Sequence, residues 1–175
     1  VQRELAAGEF NKRVRQCGQA FDELSRHVEG AQCLRDIGAA DFEAHRTHLS
    51  PVLTRRAAHV VAEVERTFQA RQALFAGDYP RLGQLMTATH RSLRDSFEVS
   101  SMELDLLVES ALEVEGCYGS RLTGAGFGGC TVILAHPSAV AEVASHVRKR
   151  YSNEKGWMPD VEVFQGDEGP REVPL

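Results

Sequence analysis

No apolar run in this 175-residue sequence approaches the roughly 18 residues that a bilayer-spanning helix needs. The first 25 residues are charged throughout, unlike the apolar core of a secretory signal. One-sided charge is absent too: 20 basic residues stand against 25 acidic ones, a formal charge of −5, with no basic stretch of the kind that tracks a nucleic-acid backbone. No C-x-x-C pair occurs among Cys17, Cys33, Cys117 and Cys130, and no histidine stands at metal-finger spacing from them. The expectation is a cytoplasmic protein with reduced, buried thiols that binds neither membrane nor nucleic acid. His45 and His48 stand three residues apart and could share a helix face. With no acidic or thiol partner at telling spacing they read as surface histidines, and no metal site is expected. Internal repeats and low-complexity tracts are missing as well.

What is present suffices for one domain with a sizeable core. The chain opens on valine in a charged segment, Val1 to Leu5, and so reads as a piece of something longer. From Glu9 to Val28, Phe10, Val14, Cys17, Phe21 and Leu24 recur at spacings of three and four, an apolar helix stripe that needs a partner to cover it. A broken region with Gly30, Gly38 and Pro51 holds a short helical candidate from Ala40 to His48. The spacing predicts a long helix from Thr54 to Ala76. Gly77 ends it, and Asp78 with Pro80 starts a second, antiparallel helix carrying Leu82, Leu85, Met86 and Leu93. Ser100 to Glu103 reads as a capping box ahead of a third helix that runs to Glu115.

After Gly116 the texture changes. Cys117–Thr123 and Cys130–Ala135 lack helical spacing and are rich in β-branched, aromatic and aliphatic residues, so both read as strands. Pro137 and Ser138 open another helix, a last strand is expected at Val161–Phe164, and a polar tail at 166–175. Helices first, then strand, strand, helix, strand predict an α+β domain, an antiparallel sheet covered by helices.

Between the first two strands lies Gly124-Ala-Gly-Phe-Gly-Gly129, with glycine at 124, 126, 128 and 129. A hairpin needs one or two residues of positive φ. Four glycines in six positions suggest that something approaches the backbone closely, an anion or another loop, although a bare surface hairpin tip has the same composition. The spelling G-x-G-x-x-G is followed by a strand rather than a helix, which disfavours a dinucleotide site, and no Gly-Lys-Ser or Gly-Lys-Thr follows to make a Walker-type loop.

The run Ser120–Leu134, SRLTGAGFGGCTVIL, resembles the third motif of the GHMP small-molecule kinases, and His90–Asp105, HRSLRDSFEVSSMELD, is similar to the galactokinases in particular. Asn11–Cys17, Leu34–Asp36 and Arg55–Val61 match the same family in order, so the resemblance covers nearly the whole chain. It implies a carboxy-terminal domain over 1–175 of ferredoxin-like type, with a cleft-side helix in 1–30. It also implies a whole enzyme that moves the γ-phosphoryl of ATP, with magnesium, to the anomeric hydroxyl of galactose. The family's sugar motif, its serine-rich ATP loop and its catalytic base lie upstream of such a domain. This stretch alone is therefore expected to contain no catalytic residue, to hold no cofactor by itself, and to need a missing amino-terminal half as partner. By resemblance Gly124, Gly126, Gly128 and Gly129 support the phosphate site by close loop packing, and Phe127 anchors the hairpin rather than touching substrate.

Some positions depart from the family pattern. Phe10 stands where galactokinases carry a sugar-contacting tyrosine, and losing that hydroxyl removes a hydrogen bond worth about 0.5–1.5 kcal/mol. Ala125 replaces a glycine, and Ser96, Phe97, Ser101 and Met102 alter the usual D-Y-E-V-S-C-P-E-L-D run. Arg94 and Asp95 read as a pair tying a loop in place, and Asp105 as a helix-dipole partner. Two further readings stay open: a kinase of the same family acting on another sugar, or a non-catalytic sugar- and nucleotide-sensing or docking module. In isolation the chain is expected to expose cleft-facing apolar surface and to self-associate.

Overall fold

The computed structural model describes residues 4–166. Helix α1 (Glu4–Leu24) is followed by a 3-10 turn at Leu34–Asp36, a short helix α2 (Ala39–His45) and a second 3-10 turn at Arg46–His48. Two long helices come next, α3 (Pro51–Phe75) and α4 (Tyr79–Ser92), and then one turn of π-helix at Leu93–Phe97. Helix α5 (Met102–Leu112), strands β1 (Cys117–Thr123) and β2 (Cys130–Ala135), a 3-10 turn at Pro137–Ala139 and helix α6 (Val140–Lys155) complete the order. The α+β class and an antiparallel sheet packed by helices are borne out.

Local chemistry sets the boundaries. Ser50 caps α3 by accepting from the Leu53 amide at 3.4 Å, with Pro51 at the first helical position, where its missing N–H costs nothing. Gly77, at φ 68°, ends α3, and Asp78 accepts from the Arg81 amide at 2.9 Å to start α4. Helix α5 begins one residue later than the sequence suggests. Ser101, not Ser100, accepts from Leu104 N at 3.3 Å, and Glu103 pairs with Lys155 Nζ at 3.0 Å, its carboxyl pKa lowered first by that bond and then by its own amide and the Ser101 hydroxyl. Ser100 turns its hydroxyl to Asp105, which leaves its neighbour as the capping side chain.

The core falls into connected clusters. Ala20 and Leu24 of α1, Phe42 of α2, and Ala57 and Val61 of α3 enclose Leu34, Ile37 and Leu49. Ala111 and Val114 pack with Val143 and Val147 of α6 and with Ile133 of β2. Leu93, Val99, Leu104 and Leu122 form a smaller cluster that takes in Phe97 and Phe127. Burial of Leu24 and Leu122, at 0% and 1% exposed, contributes about 2 kcal/mol each. The α1 stripe is covered only along its second half: Leu24 is buried and Phe21 half-buried, whereas Phe10 and Val14 are 50% and 55% exposed.

Strands β1 and β2 pair from Thr123 with Cys130 to Cys117 with Ala135, and an irregularity between Cys117 and Gly119 leaves Tyr118 as the extra residue of a bulge. There α4 meets β1 with no side chain between the backbones. A Cβ on Gly83 would lie 2.1 Å from the Tyr118 carbonyl oxygen, and one on Gly119 would lie 1.9 Å from the Gly83 carbonyl oxygen.

Val161–Phe164 does not form the expected strand. The described sheet has two strands, and the Val161 carbonyl accepts from Arg148 Nη2 at 2.9 Å in place of a ladder partner. Val161 still packs on the α5–α6 cluster, but Val163 and Phe164 are 64% and 81% exposed, so alternation here has no surface to bury against. The thiols also differ from expectation. All four are free, Cys17 and Cys117 are half-buried with pKa values raised by that burial, and Cys33 and Cys130 are exposed at element edges. Apart from Gly166, the expected polar tail lies outside the described residues. Among the described residues no helix is long and apolar enough to cross a membrane.

Gly83→Ala forces α4 away from β1, because the added carbon meets backbone that cannot yield. Overpacking of this kind is expected to cost about 3 kcal/mol, read as a lower urea midpoint at unchanged m-value. A variant as stable as the parent would show that the helix and strand can separate freely.

Candidate functional site

The densest polar constellation surrounds Glu98, the residue that closes the π turn in the left-handed conformation at φ 57°. Arg56 of α3, 2% exposed, donates from Nη2 to Glu98 Oε2 at 2.6 Å, from Nε to Gln16 Oε1 at 2.9 Å, and from Nη1 to the Ser96 carbonyl. Arg55 Nη2 takes the other carboxylate oxygen at 3.0 Å. Arg13 of α1, 6% exposed, donates to the Phe97 carbonyl at 2.6 Å and to the Glu98 carbonyl at 2.7 Å. Both helices are thereby bolted to the 93–99 turn. The Arg56 hydrogen bond, then those and the charges of its neighbours, hold the Glu98 carboxyl below the usual glutamate range against a smaller opposing effect of burial.

The next residue carries the turn to the glycine hairpin. The Val99 carbonyl accepts from the Phe127 amide at 2.6 Å, and a Cβ on Gly126 would lie 2.2 Å from that same oxygen. Gly126, at φ 79°, thus meets both reasons for glycine at once, left-handed backbone and close approach. Phe127 also has positive φ, 60°, which costs a non-glycine residue about 1 kcal/mol or more. Its ring offsets the strain by packing on the Leu93, Val99, Leu104 and Leu122 cluster, with the Arg13 guanidinium carbon 5.8 Å above the ring centre. Phe127 therefore anchors the hairpin. Gly124, Gly128 and Gly129 share the positive φ of Gly126, and Gly124 and Gly129 have open space where a side chain would stand.

Behind the turn, His59 Nδ1 lies 2.8 Å from Ser92 Oγ and its ring stacks on Phe97 with centroids 4.5 Å apart. Burial outweighs the nearby Glu63 and lowers its pKa to about 4. His90 Nδ1 accepts from the Leu122 amide at 3.3 Å, and its Nε2 lies 3.2 Å from Asp105 Oδ1, off hydrogen-bond geometry. Asp105, in the first turn of α5, thus faces a histidine as well as a helix dipole. On the π turn the half-buried Arg94 and the exposed Asp95 pair with each other at 2.7 Å, and Arg94 reaches toward Glu109 of α5 at 3.9 Å, which ties the turn to that helix.

Of the residues singled out from the sequence, the structure groups the four glycines and Phe127 in one loop. Phe10 is half exposed on α1, one turn before Arg13. The arginine cluster around Glu98 was not read from sequence at all. Its signal, arginines on apolar helix faces at Arg13 and Arg56, is easily taken for surface charge. The histidines gain a third member: His27, in the turn after α1, stacks on His48 and His45 with ring centroids 4.3 and 4.9 Å apart. Desolvation among the packed rings, and then the charge that His48 and His45 would carry, lower the His27 pKa.

The family described as GHMP kinases C terminal matches residues 70–153. Over 151 residues the chain is 48% identical to a galactokinase of Homo sapiens and 47% identical to one of Bos taurus, covering 86% of this chain and 37% of each relative. A galactokinase of Roseiflexus sp. is 40% identical over 169 residues, 97% of this chain and 43% of its own length. The fold is similar to the crystal structure of Lactococcus lactis galactokinase complexed with galactose, with a TM-score of 0.81 and 33% identity over 86% of this chain and 39% of that one. The chain spans about two fifths of the length of the curated relatives it matches.

The lowered Glu98 pKa has a definite sign. An unfolded glutamate titrates near 4.5, so the Glu98 contribution to stability is fully present above that value and is lost as pH falls through the lower folded value. His59 adds to the same trend, since the unfolded chain takes up its proton near 6.5 while the folded chain resists until about 4. Unfolding free energy from urea titrations is expected to fall steadily from pH 6.5 to pH 4, and Glu98→Gln to flatten the acid end of that slope. A profile unchanged by the substitution would remove Glu98 from the account.

Proposed function

The chain belongs to the GHMP kinases, as a carboxy-terminal domain of galactokinase type, and on that premise we propose that it is part of a sugar kinase transferring the γ-phosphoryl of ATP to the anomeric hydroxyl of galactose. The observation that carries this reading is the hairpin tip pinned through Gly126 and Phe127 to the Val99 carbonyl, within a chain 48% identical to a galactokinase. A loop held so firmly yet bare of side chains at Gly124 and Gly129 suits close packing against a phosphate-binding loop contributed from elsewhere.

The division of labour follows from the donor set. The turn that pins the hairpin offers Asp95 and Glu98 as its carboxylates, and arginines already pair with both, so neither fits a magnesium ligand. This chain's own residues shape and orient: Gly124, Gly126, Gly128 and Gly129 support the phosphate site, Arg13 and Arg56 fix the turn behind it, and the exposed Phe10 face of α1 lines the sugar side of a cleft. ATP and magnesium act with a further, amino-terminal part that supplies the base and the main phosphate cradle, and the chain alone is inactive. A different sugar is favoured by one observation, the phenylalanine at position 10, which offers no hydroxyl.

In the kinase containing this chain, Gly126→Ala moves the hairpin by the overlap with Val99, and a displacement near 1 Å at a phosphoryl-transfer site costs about 100-fold in kcat. A coupled ADP-release assay with galactose reads it, and a variant at parental rate, or a parent protein turning over no sugar, would sink the reading. Phe10→Tyr is expected to tighten galactose binding up to about tenfold, the worth of one recovered hydrogen bond. A sugar panel in which selectivity stays put would clear Phe10 of any role in sugar choice.

A further inference from the structure

Three imidazoles meet at the end of α1 remote from the glycine hairpin. His27 comes from the turn that follows Leu24, His45 is the last residue of α2, and His48 ends the 3-10 turn after it. One ring nitrogen from each lies within 4.8 Å of the other two. The segments that present them are fixed from beneath, because Leu24, Phe42 and Leu49, each within three residues of one of these histidines, are buried in one and the same cluster. The rings themselves are exposed at positions 27 and 48 and half-buried at 45, so they can turn without disturbing that core.

The other histidines are engaged differently. His59 meets Ser92, His90 accepts from the Leu122 amide, His136 meets Ser138 and His146 meets Glu113, each a specific structural partner. Only in this group do imidazoles face one another. Three like groups that repel when protonated are a poor device for stability and a good one for holding a cation through neutral nitrogens.

We propose that His27, His45 and His48 form a binding site for a divalent first-row transition-metal ion of the zinc type. Imidazole donors without a carboxylate suit zinc, copper or nickel and not magnesium or calcium. Zinc–nitrogen bonds of about 2.1 Å in a tetrahedron place the nitrogens about 3.4 Å apart, so side-chain rotations that draw the rings together by about an ångström complete three corners. The fourth corner faces solvent and takes water. The bound ion ties the end of α1 to the α2 segment, and since it binds the folded arrangement of three separate pieces of chain it stabilises that arrangement.

Calorimetric titration of the full chain with zinc chloride, after treatment with chelator, tests the site. One equivalent is expected to bind, with affinity reduced at least about tenfold in His27→Ala and again in His48→Ala, and unaltered in Cys33→Ser and Cys130→Ser, which remove the exposed thiols. Cobalt(II) substitution of the unaltered protein gives an independent reading that needs no variant to fold: visible d–d bands of a tetrahedral site without thiolate charge transfer. Absence of stoichiometric binding, full affinity in His27→Ala, loss of binding in either cysteine variant, or a thiolate-type cobalt spectrum would each overturn the assignment.

Discussion

The left-handed turn at Glu98 is the constraint on which the rest of this structure depends. A glutamate at φ 57° is held against its conformational preference. The compensation comes from Arg56, itself 2% exposed, and from Arg13 and Arg55. Burying a guanidinium is costly unless its donors find partners. Arg56 finds three, Glu98, Gln16 and the Ser96 carbonyl, so the cost of burying it is offset by fixing α1, α3 and the π turn relative to one another. One residue farther on, the Val99 carbonyl carries this geometry into the glycine hairpin. The loop of bare backbone is thereby placed by side chains that lie outside it.

A second close approach fixes the other side of the same hairpin. Gly83 and Gly119 let α4 lie directly on β1, and the bulge at Tyr118 brings the strand to it. Thr87 and His90, farther along α4, take the Ser120 and Leu122 amides, so the strand edge that lacks a β partner is satisfied by a helix. This arrangement explains how a two-stranded sheet, marginal in isolation, is a stable platform here.

What was legible in the sequence was whatever is local. Gly77 with Asp78 and Pro80 marks a helix boundary through chemistry confined to a few residues, whereas Pro51, read as part of a broken region, is the first residue of α3, which starts three residues before the expected Thr54. The two strands were legible because β-branched and apolar residues replace helical spacing at Cys117 and again at Cys130. The same rule misled at Val161–Phe164, where the pattern is present but the covering surface and ladder partner are not. The network at Glu98 was illegible for the opposite reason. Arg13, Arg56 and Glu98 are distant in sequence, and an arginine's burial depends on partners that only the fold supplies. His45 and His48 were visible as a pair, while His27 joins them through packing of α1 on α2 and α3.

These two clusters sit at the middle and at the C-terminal end of α1, and that separation follows from helix geometry. Arg13 and Leu24 are eleven residues apart in one continuous helix, about 16 Å at 1.5 Å per residue. The half carrying Phe10 and Arg13 has exposed apolar side chains above a pinned turn, whereas the half ending at Leu24 is seated in a core and leads into the imidazole cluster. A rigid element fixed at its C-terminal end by burial and at its middle by arginine hydrogen bonds has little freedom to tilt. The orientation of the Phe10 face is accordingly set by the anchor at Arg13 and by the buried C-terminal end, and a tighter bond at the histidine end acts on that face only through the straightness of the helix between them.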